Sequence, residues 1–154
     1  MNEEWKKWYL GGLWDGDGSF GITKHYSHNQ YHGITGKKWM SYQPIAHITL
    51  CDSKSKEVFK LFEEEFGFRK VRELRQHPKH RTPSKWYLQS TKACEFARMI
   101  EPFLLIKKER AHILMQWKPK ERGNYSMTEV ERIQATQRQE ELYQQMKLLN
   151  HRGT

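Results

Sequence analysis

The 154 residues hold two cysteines, Cys51 and Cys94. They are too few and too far apart for a disulfide framework or a CxxC metal pair, and a reducing compartment follows. The histidines show neither an H-E-x-x-H spacing nor a cysteine partner, which removes the usual zinc signatures. Long apolar runs are missing too, so no segment reads as a membrane span and no membrane is expected as a partner. The N-terminus, Met-Asn-Glu-Glu-Trp-Lys-Lys, is too acidic and too poor in apolar residues for a signal or transit peptide. Carboxylates are in deficit: 18 Asp and Glu against 27 Lys and Arg leave a net charge of +9. Such an excess points to a polyanionic partner, although a ribosomal protein or a membrane-surface binder would share it. The length fits one domain with a single core.

What is present is concentrated at residues 10–19, Leu-Gly-Gly-Leu-Trp-Asp-Gly-Asp-Gly-Ser. Upstream, Trp5, Trp8, Tyr9, Gly12 and Leu13 recur on one face of a helix expected over about Glu3–Trp14. Gly11 and Gly12 each cost about 1 kcal/mol against alanine in a helix interior, so some backbone is expected to approach there. The following Asp15-Gly-Asp17-Gly reads as a turn. It is not an EF-hand loop, because the required Gly at position 6 and Glu at position 12 are Phe20 and Tyr26.

Downstream, period-two alternation predicts strands over Ser19–Tyr26 and Tyr42–Leu50, separated by a polar, basic stretch over 27–41. A helix capped by Asp52 or Ser53 carries Val58, Leu61, Phe62 and Phe66 and ends at Gly67. Two further strands fall near Lys70–Arg75 and Lys85–Ser90. A third helix (Ala93, Phe96, Ala97, Ile100) is stopped by Pro102, and a fourth spans about Lys107–Gln116. Ser126-Met-Thr-Glu129 reads as a capping box opening a last helix, with Val130, Ile133, Leu142, Met146 and Leu149 as its apolar stripe. Glu63-Glu64-Glu65 diverge on their helix and read as a solvated face.

The resulting α+β order, αββαββα, gives a four-stranded antiparallel sheet with helices on one face. Residues 1–118 form the core and 119–154 a helical tail packing on the same domain. The uncovered sheet face carries Thr23, His25, Gln43, His47, Lys70, Arg72, Lys85, Tyr87 and Gln89. An ordinary solvated face would look similar, but the excess of Arg, Lys, His and Gln over Asp and Glu tilts it toward nucleic acid. Strands can lie in the DNA major groove and read bases there. The loop residues Lys37, Lys38, Lys79 and Arg81 are placed for phosphates.

Residues 10–19 resemble the LAGLIDADG motif of the homing endonucleases, with Leu10, Gly12, Asp15, Gly16, Asp17, Gly18 and Ser19 matching and Gly11 where alanine is usual. The order of elements and a Pro-Phe-Leu-Leu-Ile-Lys-Lys stretch at 102–108 extend the resemblance over roughly residues 3–118. It implies a DNA-binding saddle on the open sheet face and double-strand cleavage across the minor groove of a long pseudo-palindromic site. Mg2+ is the implied cofactor, and Mn2+ or Ca2+ can substitute. Asp17 would ligate the metal with the Gly16 carbonyl assisting, Lys107 would stand near the scissile phosphate, and Lys54 near a basic solvent pocket.

Relatives often carry a Gln and a Lys after the second strand, where this chain has Ile48-Thr49-Leu50-Cys51-Asp52; this departure touches water activation rather than metal binding. The motif occurs once, and one carboxylate is too few for a metal clamp. A homodimer packed through Trp8, Gly11, Gly12, Trp14 and Asp15 would bring two Asp17 side chains together, with Asp15 supporting the turn. Two other functions share these features: a non-cleaving DNA-binding regulator of the same fold, and an RNA maturase for intron splicing, whose partner would be RNA. The resemblance implies an intracellular setting, either an organelle (chloroplast or mitochondrion) or a prokaryotic cytoplasm.

Overall fold

Alternation of apolar and polar residues sends Phe20 and Ile22 of β1 (Gly18–Ser27) to one side of a sheet. Tyr42, Ala46 and Ile48 of β2 (Trp39–Leu50) go to the same side. The computed structural model describes residues 3–27, 39–69, 71–73, 83–118 and 128–152. β1 pairs antiparallel with β2, β2 with β4 (Ser84–Gln89), and β4 with β3 (Val71–Glu73), so the strand order is β1-β2-β4-β3. The three-residue β3 is an edge piece; β1, β2 and β4 carry the sheet. Lys37, Lys38, Lys70, Lys79 and Arg81 lie outside the described residues.

α1 (Glu4–Asp17) does not stop at Trp14 as its sequence predicts. The helix continues through both aspartates, and Asp15-Gly-Asp17 is its last turn rather than a separate one. The stripe of Trp5, Trp8 and Tyr9 faces outward, with Trp5 57% and Trp8 56% exposed. Leu10, Gly11 and Trp14 form the buried face instead. Trp14 is fully buried, its ring 4.7–6.2 Å from those of Phe20, Phe62, Trp86 and Phe96. A core tryptophan contributes on the order of 3–5 kcal/mol, so the interior claims this residue outright.

α2 (Ser55–Phe66) buries Phe59, Phe62 and Phe66 and ends at Gly67, whose φ of 79° is the left-handed cap that glycine supplies without strain. α3 (Thr91–Ile100) buries Ala93, Phe96, Ala97 and Ile100 as spaced. It ends just ahead of Pro102 as expected, and the chain tightens there into a short 3-10 turn, Glu101–Phe103. α4 (Lys108–Met115) follows.

α5 (Glu129–Arg152) packs on β1, β2 and α4. Its capping box sits two residues later than expected. Thr128 Oγ1 accepts the Glu131 N–H at 3.2 Å, and the Glu131 carboxylate accepts the Thr128 N–H at 3.3 Å. Of its expected stripe, Met146 is buried and Leu142 and Leu149 pack against the core, while Val130 and Ile133 are exposed and Ala135 and Gln139 are buried in their part of the helix. A polar clamp holds α5 to the sheet: the Glu140 carboxylate accepts from the Tyr42 hydroxyl and pairs with Lys24 at 3.0 Å. Lys24 also lies 5.4 Å over the Tyr143 ring. Among the described residues no helix is long and apolar enough to cross a membrane.

Candidate active site

The two aspartates of α1 point to different tasks. Asp15 turns toward its own chain, where its carboxylate accepts the backbone N–H groups of Leu105 (2.7 Å), Ile106 (3.1 Å) and Lys107 (2.9 Å). Those groups precede α4 and have no helical acceptor of their own, so Asp15 serves as their cap. It is therefore a support of the site, and its hydrogen bonds are within the chain rather than across an interface.

Asp17 is exposed, and no hydrogen bond or ion pair among the described residues reaches its carboxylate. Beside it stands Lys107, whose ammonium donates to the carbonyls of Trp14 (3.1 Å) and Gly18 at the C-terminal end of α1. A cation is favoured at that end by the unsatisfied carbonyls and the helix dipole. Burial pushes the Lys107 pKa below its ordinary value and Arg110 adds to this, while Asp15 and Asp17 oppose it. The fold thus brings Asp15, Asp17 and Lys107 together, with Arg110 one turn further along α4. Lys54 is exposed at the start of α2, and no hydrogen bond or ion pair among the described residues joins its side chain to Asp17 or Lys107.

Hard oxygen donors suit Mg2+ or Ca2+, and the exposed Asp17 carboxylate at a carbonyl-rich helix end is of that type. One chain falls short of a cage: among the described residues no three of His, Cys, Asp and Glu converge. The residues fit a divalent ion if a second chain supplies a second Asp17.

The surface around this site corrects the expected dimer residues. Gly11 faces its own chain, since an added Cβ would stand 2.7 Å from Phe103 Cβ and closer still to the Phe103 carbonyl. Gly11 and Trp14 are consequently spent inside the monomer. Trp8 and Gly12 remain outward, with open space where a Gly12 Cβ would be. Leu105 (86% exposed) and Ile106 (68%) are exposed in the segment that Asp15 caps, and sequence periodicity did not single them out.

On the far side of the sheet the expected polar face is assembled. Thr23 lies opposite Gln43, His47 opposite both Ser19 and Tyr87, and Arg72 opposite Lys85. Its side chains order one another: His25 Nε2 is 3.1 Å from Thr23 Oγ1, and the Tyr87 hydroxyl donates to Gln89 at 3.2 Å. Gln43 Nε2 donates to the Ser90 hydroxyl at 3.2 Å, and Lys85 rides 5.5 Å over the Tyr87 ring. Burial, aided by Lys85, lowers the His47 pKa and favours the neutral ring. Ser19 and Ile45 share this face by register, though only the parity of the strands could have identified them.

The chain has the fold of the LAGLIDADG homing endonucleases. It is similar in structure to the homing endonuclease I-CvuI in complex with its DNA target in the presence of Ca, with a TM-score of 0.65 at 14% identity over 95% of this chain and 82% of that one. An archaeal intron-encoded homing endonuclease, I-Vdi141I, complexed with DNA, gives a TM-score of 0.62 at 18% identity over 96% and 86%. I-GzeII, a LAGLIDADG homing endonuclease in complex with its DNA target, gives 0.61 at 16% identity, covering 89% of this chain but 43% of that one. No protein-family model matches the chain. No curated protein matches it in sequence either.

Proposed function

We propose that this protein is a homodimeric, sequence-specific DNA endonuclease of the LAGLIDADG homing type that uses a divalent metal ion. The observation that carries the reading is Asp17: a carboxylate at the end of α1 with no hydrogen-bond or ion-pair partner among the described residues, near a half-buried lysine, where the polar sheet face begins. That the structurally similar proteins are DNA-bound homing endonucleases supports the substrate class. The exposed face of α1 (Trp5, Trp8, Tyr9, Gly12) with Leu105 and Ile106 is the surface proposed to meet a second copy. An apolar patch of this kind marks an interaction site. The match to under half of I-GzeII supports the same view, since one such chain supplies about half of a full assembly.

Asp17 from each chain, with the Gly16 carbonyl, would hold the metal. Mg2+ when bound lowers the pKa of a coordinated water and offsets charge on the phosphate. Lys107, fixed by two carbonyls, supplies positive charge where the phosphate gains negative charge. Thr23, His25, Gln43, His47, Lys85, Tyr87 and Gln89 present donors and acceptors to base edges, and Lys37, Lys38, Lys79 and Arg81 would neutralise phosphates.

The test is selection of cleaved sites from a randomised duplex library with magnesium. The expected product is a double-strand break at one long, nearly palindromic sequence. Binding without any break points to the regulator instead, and selective retention of folded RNA to a maturase.

A further inference from the structure

The proposed reaction leaves α5 without a task, yet its carboxylates are confined to its first part, where Arg132 and Arg138 stand among them. Glu129, Glu131, Glu140 and Glu141 all precede residue 142; beyond it the helix carries Lys147, His151 and Arg152 and no carboxylate. This basic end is tied down at two points. Asn150 Nδ2 donates to the Phe20 carbonyl on β1 at 3.1 Å. Arg110 donates to Asn150 Oδ1 at 2.9 Å and to the Leu149 carbonyl at 2.8 Å. The segments that build the Asp17 site therefore also fix the end of α5.

Between β1 and this end lies a cleft of about 450 Å³. Ser19 and Gly21 line it from the outer side of β1, Phe20 and Ile22 from the inner side, and Tyr143, Lys147 and His151 from α5, so the cleft wraps the edge of the strand. Ser19 is two residues beyond Asp17 and lies opposite His47 on the polar face. The cleft thus opens onto the edge of the proposed DNA surface, beside the residue that pairs with His47. An ammonium on one wall and a hydroxyl on the other are donors of the kind that grip phosphate oxygens and set the register of a duplex.

We infer that this cleft binds a DNA backbone phosphate, held by Lys147 on α5 with the Ser19 hydroxyl opposite, at the start of the strand that follows Asp17. The inference rests on the endonuclease reading and adds a phosphate site to it. The competing role for Lys147 is stabilisation of the helix C-terminus through its dipole, which needs no DNA.

Salt dependence separates the two. The full chain and its Lys147→Ala, Lys147→Arg and Lys60→Ala variants are titrated with a fluorescein-labelled duplex by anisotropy over a range of salt concentrations. Lys147→Ala is expected to bind more weakly, with a log K against log salt slope shallower by about 0.9 for each phosphate it no longer neutralises. Lys147→Arg keeps the slope, and so does Lys60→Ala, which removes an exposed lysine from α2. An unaltered slope in Lys147→Ala, with or without a lower melting temperature, overturns the phosphate site. Absence of salt-dependent binding by the wild-type chain overturns the endonuclease reading itself.

Discussion

The Asp15 carboxylate and the backbone N–H of Lys107 are joined by a 2.9 Å hydrogen bond across 92 residues of sequence. Through that bond and its two neighbours, the motif helix sets the start of α4 and hence the place of the Lys107 ammonium. A carboxylate with the look of a metal ligand is a structural cap.

Asp15→Ala leaves three N–H groups without their acceptor. A loss of about 1–3 kcal/mol in urea unfolding is expected, with slower cleavage because Lys107 loses its anchor. Asp15→Asn keeps one acceptor oxygen and should lose less. Wild-type stability in Asp15→Ala would show that the cap contributes nothing.

Asp17→Asn should behave in the opposite manner. Its side chain makes no hydrogen bond or ion pair among the described residues, so melting temperature and DNA affinity should stay near wild type while metal-dependent cleavage disappears. Gel assays of cleavage and binding on the same selected site provide the check, and residual cutting at the wild-type rate would remove Asp17 from the reaction.

The paired glycines can be separated. Gly11→Ala drives a methyl group into the Phe103 backbone, and a cost of about 1–3 kcal/mol is expected from overpacking. Gly12→Ala meets open space and gains helix propensity, about 1 kcal/mol in favour of the folded chain. The same methyl would hold a second copy away. Sedimentation velocity should therefore show Gly12→Ala as a stable chain with weakened self-association, and unchanged association would move the interface elsewhere.

The α5 clamp predicts an acid dependence. The Tyr42 hydroxyl, with help from Gln144 and Lys24, lowers the Glu140 pKa from 4.5 to about 2. A carboxyl whose pKa is depressed by folding contributes stability above its unfolded value and loses it as pH falls toward the folded one. The stability gap between wild type and Tyr42→Phe should accordingly be full above about pH 4.5 and shrink toward pH 2. A gap that is constant across that window would leave Glu140 out of the clamp.

Much of the architecture is legible in single residues. Phe20 and Ile22 against Thr23 and His25 give the two faces of β1, because period two leaves no other choice. Gly67 ends α2 because the left-handed cap suits glycine. The inner face of α1 is harder. Apolar residues surround that helix, so periodicity alone marks Trp5, Trp8 and Tyr9 as readily as Leu10 and Trp14. The α5 capping box was displaced for a similar reason: Ser126-x-x-Glu129 and Thr128-x-x-Glu131 both satisfy the pattern, and only the hydrogen bonds choose.

The sequence by itself determined the strand parity, and with it which polar side chains share the open sheet face. It also determined that the Asp-Gly-Asp motif occurs once and follows an apolar helical segment, since these features depend on residues a few positions apart; that the helix itself runs on through Asp17 came only with the fold. The tertiary structure alone decided that Trp14 belongs to the core and that Gly11 answers to Phe103. It also decided that Asp15 caps Lys107 and that the basic end of α5 lies beside Ser19. Each of these depends on segments far apart in the chain, where packing volume and unsatisfied backbone groups choose among partners that local periodicity leaves equal.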